Sequence, residues 1–234
     1  MKLSTFFQNI AVNELKATSL IEPGSFTIEP TYLPTVIQSL NQALDYLFTT
    51  FRLKENQLIL ELRQGQSYYY IDEIYCKSNI NSSHDKYICD TIEKPYTDDL
   101  VQILSVSQLD GKVLSLNDEF SPTGVHTPEY NCIHVPAINN NKHLVIVYQA
   151  RHPVVKLTEP LDSNFVINIA PAYEVILQTY VACLLLQSMG GNNLQISNVF
   201  FAKFNTLLES LQRQGIGSNT ISGINIKPQL GGWV

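Results

Sequence analysis

A chain of 234 residues can bury a sizeable core, as one large domain or as a domain with an insertion. Its net charge is -6 and its 15 basic residues are scattered, whereas tight binding of DNA or RNA needs clustered Lys and Arg. The composition therefore argues against a protein that binds nucleic acid tightly.

No apolar run reaches the roughly 18 residues of a membrane span, so we expect no membrane contact. The N-terminal segment is interrupted by Gln8, Asn9 and Asn13, which makes it a poor signal-peptide core. We therefore expect a protein that folds in a cytoplasm.

The N-terminal part of the chain predicts helices followed by a strand. We expect one or two short helices within residues 3–20. Apolar residues at three- and four-residue spacing predict a long helix over about 34–51, with Pro34 in its first turn. Alternating apolar and polar residues then predict a strand at 58–63.

Two basic residues, Arg52 and Lys54, follow the long helix directly. Positive charge near the C-terminal end of a helix stabilises its unpaired carbonyl groups and its dipole. We interpret Arg52 and Lys54 as contact residues at this helix corner, where they would bind the last carbonyl groups. A solvated helix end is the plainer alternative.

The middle of the chain, 57–167, predicts an inserted antiparallel β module with long loops. Its six strands are predicted in three sequential pairs: 58–63 with 67–71, 100–107 with 113–116, and 131–135 with 144–150. Asp110-Gly111, between the strands of the second pair, is typical of a type I′ turn. The polar stretch at 72–97 is expected to form an irregular surface loop.

Two helices are predicted near the C-terminus. The first opens at Pro171 and ends at Met189-Gly190-Gly191, where glycine supplies a left-handed cap. It has little polar face, so we expect it to be buried on most sides. The second helix is predicted over about 195–213.

These elements together predict an α+β fold. Residues 1–56 and 168–214 would form a helical bundle that carries the inserted β module, and the bundle is the part expected to form a ring. Residues 215–234 would follow it as an extended C-terminal arm.

The arm has five glycines, one proline and almost no charge, which excludes a helix and an independent core. Its apolar residues nevertheless suit docking on another subunit, by filling pockets or by adding a strand. We predict these docking residues: Ile221, Ile224, Ile226, Leu230 and Trp233. The alternative is an arm that lies over its own domain.

The sequence shows no catalytic constellation. The five histidines are separated along the chain, and neither a nucleophile elbow nor a phosphate-binding glycine loop occurs. The four cysteines lack Cys-x-x-Cys pairing, so no zinc cluster is predicted. A disulfide bond between Cys76 and Cys89, across a loop, is conceivable, but free thiols are expected in a reducing compartment. We expect no enzyme activity, no cofactor and no metal.

Two short runs resemble binding motifs but have plainer interpretations. Asp98-Asp99 lacks the second ligand cluster that a metal pair needs, and its position suits the end of a loop. Tyr68 and Tyr70 would face one side of a strand and Tyr69 the other, so the three tyrosines do not form one stacking platform. We expect packing roles for them.

Several segments, taken in order, resemble the head–tail adaptor proteins of short-tailed bacteriophages. They are VNELKATSLI, YLPTVIQSLNQALDYLFTTFRLKENQLILEL, DDLVQILSVSQLDGKVLSLND, IAPAYEVILQTYVACLLLQSMGG and NVFFAKFNTLLESLQRQG. Thr50, Gln108 and Ser115 stand where the family pattern has a basic residue, aspartate and proline. The order of the segments, which span nearly the whole chain, carries the resemblance more than any single motif.

The resemblance implies a structural virion protein that forms a homo-oligomeric, dodecameric ring beneath the portal. Such a ring joins the capsid to the tail, lines the DNA ejection channel, and binds the portal protein and other tail or nozzle proteins. Double-stranded DNA would pass without sequence-specific binding, and an acidic protein suits a non-adhesive channel. The expected location is the head–tail junction of the virion, with host cytoplasm during assembly.

Two alternatives remain open. The chain could be another ring component of a tail or baseplate, distinguished by the partner that it binds first. From a different class, it could be an enzyme or a carbohydrate-binding module built on the β part, with Tyr68–Tyr70 and the 72–97 loop as its site.

Overall fold

The computed structural model describes residues 1–16, 18–22, 25–136, 142–157 and 165–215. Within these residues it has four α-helices and two antiparallel β-sheets, so the predicted α+β class is confirmed. The chain divides into two compact units. One comprises Met1–Ser39 with the chain from Ile169 onward, and the other comprises Leu40–Asn168. The first division falls inside a helix, whereas the sequence-based division falls after it.

The described helices are α1 (Leu3–Asn13), α2 (Leu33–Thr50), α3 (Glu174–Met189) and α4 (Asn193–Arg213). Their bounds follow the predictions closely. Helix α1 is a single helix where one or two were expected. Helix α3 ends at Met189, and the next residue, Gly190, has a positive φ of 67° that glycine adopts without strain.

The first unit is organised around α3, which packs against both α1 and α4. Most of its faces are buried, as its almost continuous apolar sequence predicts. Tyr180 of α3 stacks on Phe204 of α4, with ring centroids 4.3 Å apart. The buried hydroxyl of Ser197 donates to the carbonyl oxygen of Cys183 at 3.0 Å. The α3–α4 interface therefore combines apolar packing with a satisfied polar contact.

The second unit holds all the named strands. They are β1 (Glu55–Glu61), β2 (Tyr68–Tyr70), β3 (Ile88–Cys89), β4 (Leu100–Gln108), β5 (Val113–Leu114), β6 (His126–Glu129), β7 (Cys132–His134) and β8 (His143–Ala150). A five-stranded sheet has the order β3-β1-β8-β4-β5, and a three-stranded sheet has the order β2-β7-β6. Short 3₁₀ turns occur at Pro30–Tyr32, Glu73–Tyr75 and Pro171–Tyr173.

Strand pairing differs from the prediction of three sequential hairpins. Only β4 pairs with its predicted partner, β5, within the described residues. Strand β1 pairs with β8 and β3 instead of β2, and the predicted third pair is split between the two sheets. The cause is β8, which lies between β1 and β4 and buries Leu144, Ile146 and Tyr148. Burial against distant strands outweighs local pairing and cannot be read from local alternation.

The β4–β5 hairpin is present, but its turn is not of type I′. A type I′ turn requires positive φ at both central residues. Gly111 has φ 88°, whereas Asp110 is not among the residues with positive φ. The Gly111 N–H donates to the Gln108 carbonyl at 3.0 Å, and the Gln108 N–H donates to the Lys112 carbonyl at 2.9 Å. This is the pattern of a three-residue loop with a glycine bulge.

The core of the second unit draws on both sheets. Leu58, Leu60, Leu144 and Ile146 supply it from the larger sheet, and Tyr69 supplies it from the smaller one. Because side chains alternate along a strand, the residues between Leu58 and Leu60, and the one after Leu60, point to the opposite face of the larger sheet. Glu61 and its partner His143 lie on that opposite face, whereas Asn56 and Tyr148 lie on the same face as Leu58 and Leu60.

Candidate functional site

The helix corner after α2 directs its two cations at carboxylates. Lys54 Nζ lies 3.1 Å from Asp99 Oδ2 and donates to the Arg151 carbonyl oxygen at 3.3 Å. Arg52 Nε lies 2.8 Å from Glu55 Oε1, in the geometry of an ion pair and not of a hydrogen bond. Carboxylates attract both cations more strongly than neutral carbonyl groups do.

The last carbonyl groups of α2 are bound by a neutral side chain. Buried Gln149, on β8, places Nε2 at 2.5 Å from the Phe48 oxygen and at 3.1 Å from the Phe51 oxygen. These are the carbonyl groups that Arg52 and Lys54 were expected to bind. In the described structure the amide of Gln149 binds these carbonyl groups, so the predicted contact is corrected, although both cations do lie at this helix end.

Asp99 is the centre of a polar cluster. Its carboxylate accepts hydrogen bonds from Lys54 Nζ, from Asn56 Nδ2 at 2.8 Å and from Tyr148 Oη at 2.8 Å. The side chain is only 14% exposed, so these three donors replace the water that burial removes. Burial, and then the charge of Asp99, raise the pKa of Tyr148, which keeps its hydroxyl a donor. Asp98, by contrast, accepts from the Glu73 N–H, so the two aspartates do not converge.

The cluster borders an open groove beside β1, with a volume of about 660 Å³. It is lined by the segment 54–59 and by residues 89–91 and 94–97. Lys54, Asp99 and Tyr148 line it together with Tyr96, whose ring lies edge-on to Tyr148 at 6.0 Å. The groove thus offers charged, amide and aromatic contacts in one place. We call it the β1 groove.

Part of the β1 backbone that lines the groove has no strand partner on one side among the described residues. The Glu61 N–H donates to the Tyr87 carbonyl on the β3 side of β1. Backbone groups alternate between the two edges of a strand, so Glu55 and Gln57 present theirs to the same side. Within the described residues, β3 pairs only with two residues farther along β1. An extended peptide can therefore add to this edge as a further strand.

A second exposed surface lies on the N-terminal half of α4. Four large apolar side chains there are at least 44% exposed: Leu194, Ile196, Val199 and Phe201. With about 3.6 residues per turn, Ile196 and Val199 lie on one side of α4, whereas Leu194 and Phe201 lie on the opposite side. Val199, at 69% exposure, is the most open of the four. Neighbouring exposed apolar side chains favour a contact with another protein surface. We call the pair Ile196 and Val199 the α4 patch.

The tyrosine run behaves as strand alternation predicts. Tyr68 and Tyr70 are 56% and 39% exposed on one face of β2, whereas Tyr69 is fully buried. The Tyr68 ring lies against His134 of the neighbouring strand, with centroids 4.7 Å apart. The predicted loop at 72–97 is more ordered than expected, because it includes β3 and a 3₁₀ turn. The arm residues Ile221, Ile224, Ile226, Leu230 and Trp233 lie outside the described residues.

The structure also brings together three residues that spacing along the chain does not connect. Glu61, Cys89 and His143 lie on three neighbouring strands, and their ligand atoms are all within 4.8 Å of one another. They are separated by tens of positions, so no short motif contains them. The available sequence signals were weak: Glu61 lies within the predicted strand 58–63, and His143 directly precedes the predicted strand 144–150. All four cysteines are free thiols.

Comparison with known proteins adds no family to this description. No protein-family model matches the chain, and no curated protein matches it. Among the described helices, none combines the length and the apolar composition that crossing a membrane requires.

Proposed function

We propose that this chain is a structural virion protein, a head–tail adaptor that forms a ring beneath the portal of a short-tailed bacteriophage. The observation that carries the proposal is the order of the segments that resemble the family. Four of these five segments contain helices or strands of the structure, and VNELKATSLI begins at the end of α1. Helix α2 runs into β1, the β4–β5 hairpin follows, and α3 and α4 close the series.

The helical unit supports a role in ring formation. Segments from both ends of the described chain meet in it, and α3 is enclosed by its neighbours α1 and α4. The α4 patch remains uncovered on its surface. In a ring, a neighbouring copy of the same chain would cover this patch, and each copy would repeat the contact.

The β1 groove supports a role in holding other proteins of the junction. Its unpaired strand edge recognises extended backbone, and the Lys54–Asp99 pair beside it adds polar specificity. A tail or nozzle protein, or an arm from another subunit, is the kind of segment that fits. The net charge of -6 suits passage of double-stranded DNA without adhesion.

Co-purification with the portal protein of the same phage tests the proposal directly. The full chain and the portal are mixed, separated by size, and the leading peak is imaged by negative-stain electron microscopy. Stacked rings in one peak are expected. Two separate peaks at every salt concentration would contradict the adaptor role and favour another tail or baseplate ring.

A carbohydrate-binding module is a second candidate, favoured by the exposed pair Tyr68 and Tyr70 on one face of β2. Exposed tyrosine rings stack on sugar faces, although Tyr68 already contacts His134. Saturable binding in a glycan panel, lost in both Tyr68→Ala and Tyr70→Ala, is the result that would favour this candidate over the adaptor.

A further inference from the structure

The end of the five-stranded sheet where β1 finishes brings three different metal-binding groups to one point. Glu61 closes β1, Cys89 closes β3 and His143 opens β8. Their carboxylate, thiol and imidazole ligand atoms lie within 4.8 Å of one another, and each residue is partly exposed. A metal ion can therefore reach all three groups from solvent.

The register of the sheet fixes this convergence. Glu61 pairs directly with His143, and Cys89 pairs with Ile59 two positions before Glu61. Residues opposite one another in a ladder share a face, and so do residues two apart on a strand. All three ligand groups thus project from the same face, opposite the buried side chain of Leu60. Rigid strands, and not a flexible loop, hold the set together.

The combination of sulfur, nitrogen and oxygen selects among metals. Mg²⁺ and Ca²⁺ prefer oxygen ligands alone, whereas Zn²⁺ binds thiolate, imidazole and carboxylate. Tetrahedral zinc places its ligand atoms about 3.3–3.8 Å apart, so small side-chain rotations from the present separations are sufficient. We propose that Glu61, Cys89 and His143 form a zinc site with its fourth position open.

Lys77 competes with the metal for this site. Its Nζ lies 2.5 Å from Glu61 Oε2, and its backbone N–H donates to the Ile88 carbonyl beside Cys89. Zinc must displace the ammonium from Glu61. Lys77 thus occupies the position of a cation when the metal is absent.

The open fourth position gives the site two uses. Three ligands from β1, β3 and β8 would tie the short strand β3 to the centre of the sheet. The remaining position can take water or a side chain from a bound protein. The proposal does not depend on the phage assignment, because every observation that supports it lies within the second unit.

Titration of the full chain with Co²⁺ and then Zn²⁺, after treatment with a chelator, tests the site. Cobalt reports its own ligands, because a thiolate ligand adds a charge-transfer band and tetrahedral geometry intensifies the visible bands. We expect one equivalent of Co²⁺ to bind with both signatures and to be displaced by Zn²⁺. The absence of saturable Co²⁺ binding would overturn the proposal.

Variants locate the metal within the fold. Cys89→Ser should abolish the thiolate band, and His143→Ala and Glu61→Gln should each weaken binding by about tenfold or more. His84→Ala and Cys132→Ala are matched controls that should bind Co²⁺ as the unchanged chain does. Circular dichroism without metal establishes that each variant is folded. Equal binding by the ligand variants and the controls would place the metal elsewhere and overturn the site.

Whereas the ligand variants should weaken metal binding, Lys77→Ala should strengthen it. Removal of the competing ammonium should tighten zinc binding about two- to fivefold, given the strength of exposed ion pairs. A merely structural disturbance of this sheet edge would weaken binding instead. Weaker or unchanged binding by Lys77→Ala would contradict a metal that shares Glu61 with Lys77.

Discussion

Asp99 is the residue on which the polar contacts of the β1 groove converge. Removing its carboxylate leaves Lys54 without its anion and takes the acceptor from Asn56 and Tyr148. We expect Asp99→Ala to lower the free energy of unfolding by about 2–4 kcal/mol, the cost of breaking a largely buried and charged network. Urea unfolding followed by circular dichroism measures this loss.

Asp45→Ala is the matched control for Asp99→Ala. Asp45 also faces a cation, since its Oδ1 lies 3.8 Å from Arg151 Nε, but both side chains are more than half exposed. An exposed pair contributes about 0–1 kcal/mol, so this variant should unfold almost as the unchanged chain does. Similar losses in the two variants would mean that burial of Asp99 is not what gives its network strength.

His152 is buried in the second unit as a neutral imidazole. Its Nε2 accepts from the Asn168 N–H at 3.2 Å, so Nδ1 must carry the proton that faces the Pro153 carbonyl oxygen at 2.7 Å. The rings of Phe48 and Phe165 pack beside it. Burial lowers the pKa of His152 below its usual 6.5, and the charge of Lys54 acts in the same direction.

The unfolded chain therefore takes up a proton at His152 more readily than the folded chain does. The contribution to stability is complete above the unfolded pKa of 6.5 and is lost as the pH falls toward the lower folded value. The measurement is the urea midpoint as a function of pH. His152→Gln should remove this part of the slope, whereas His84→Gln should retain it. Parallel slopes in all three proteins would contradict the assignment.

At the scale of the element, the sequence predicted the helices more accurately than the sheets. The apolar period of α2 and the glycine that ends α3 are local signals, and both give the observed bounds within a residue or two. Six of the eight named strands were predicted, and β3 and β6 were missed. The pairing was also missed, since β1 and β8 pair across more than eighty positions. Such pairing depends on which faces become buried together, and local alternation does not contain that information.

The candidate sites were hidden for the same reason. Lys54 was recognisable as a cation after a helix, but its partner Asp99 and the neighbouring Tyr148 reach it only through the assembled sheet. Nothing in the sequence indicated that Gln149 binds the last carbonyl groups of α2. The zinc ligands likewise come from three strands that long-range pairing aligns. Sequence patterns indicate elements, whereas these sites are properties of their pairing.

The α4 patch is an element-scale feature with a direct consequence for assembly. We expect Val199→Glu to leave the helical signal of the chain unchanged, because Val199 is exposed and glutamate favours helices. In a ring, the same substitution would bury a charge at every subunit contact, so assembly on the portal should be lost. Sedimentation velocity of the mixture with portal measures that loss.

Val113→Glu is the control for Val199→Glu, since Val113 is also 69% exposed but lies on β5 of the second unit. It introduces the same charge away from the α4 patch and should assemble normally. Loss of assembly in both variants would point to a general effect of added charge. Normal assembly by Val199→Glu would exclude the α4 patch from the subunit contact.

At the scale of the whole molecule, the surface proposed for ring formation and the surface proposed for partner binding are separate. The α4 patch belongs to the first unit, and the β1 groove belongs to the second. A proposed third contribution comes from the sequence of the arm, which is apolar, rich in glycine and almost uncharged. Fixing such an arm costs conformational entropy, so it must gain enough apolar contact on a partner to remain bound.

Deletion of residues 217–234 tests that contribution. Every described residue is retained, so we expect the truncated chain to keep its circular dichroism and its urea midpoint. Portal binding should be lost, because the predicted docking residues are removed together. Trp233 is the only tryptophan of the chain, so its emission reports on the arm in the full-length protein. On portal binding that emission should move to shorter wavelength as the indole leaves water.

Trp233→Ala within the full-length chain distinguishes anchoring by the indole from a general need for the arm. If the indole fills a pocket, this variant should bind the portal more weakly than the unchanged chain but more strongly than the truncated one. If the arm acts mainly by adding a strand, the backbone suffices and Trp233→Ala should bind almost normally. Full portal binding by the truncated chain would remove the arm from attachment altogether, and the β1 groove or the α4 patch would then have to supply the contact.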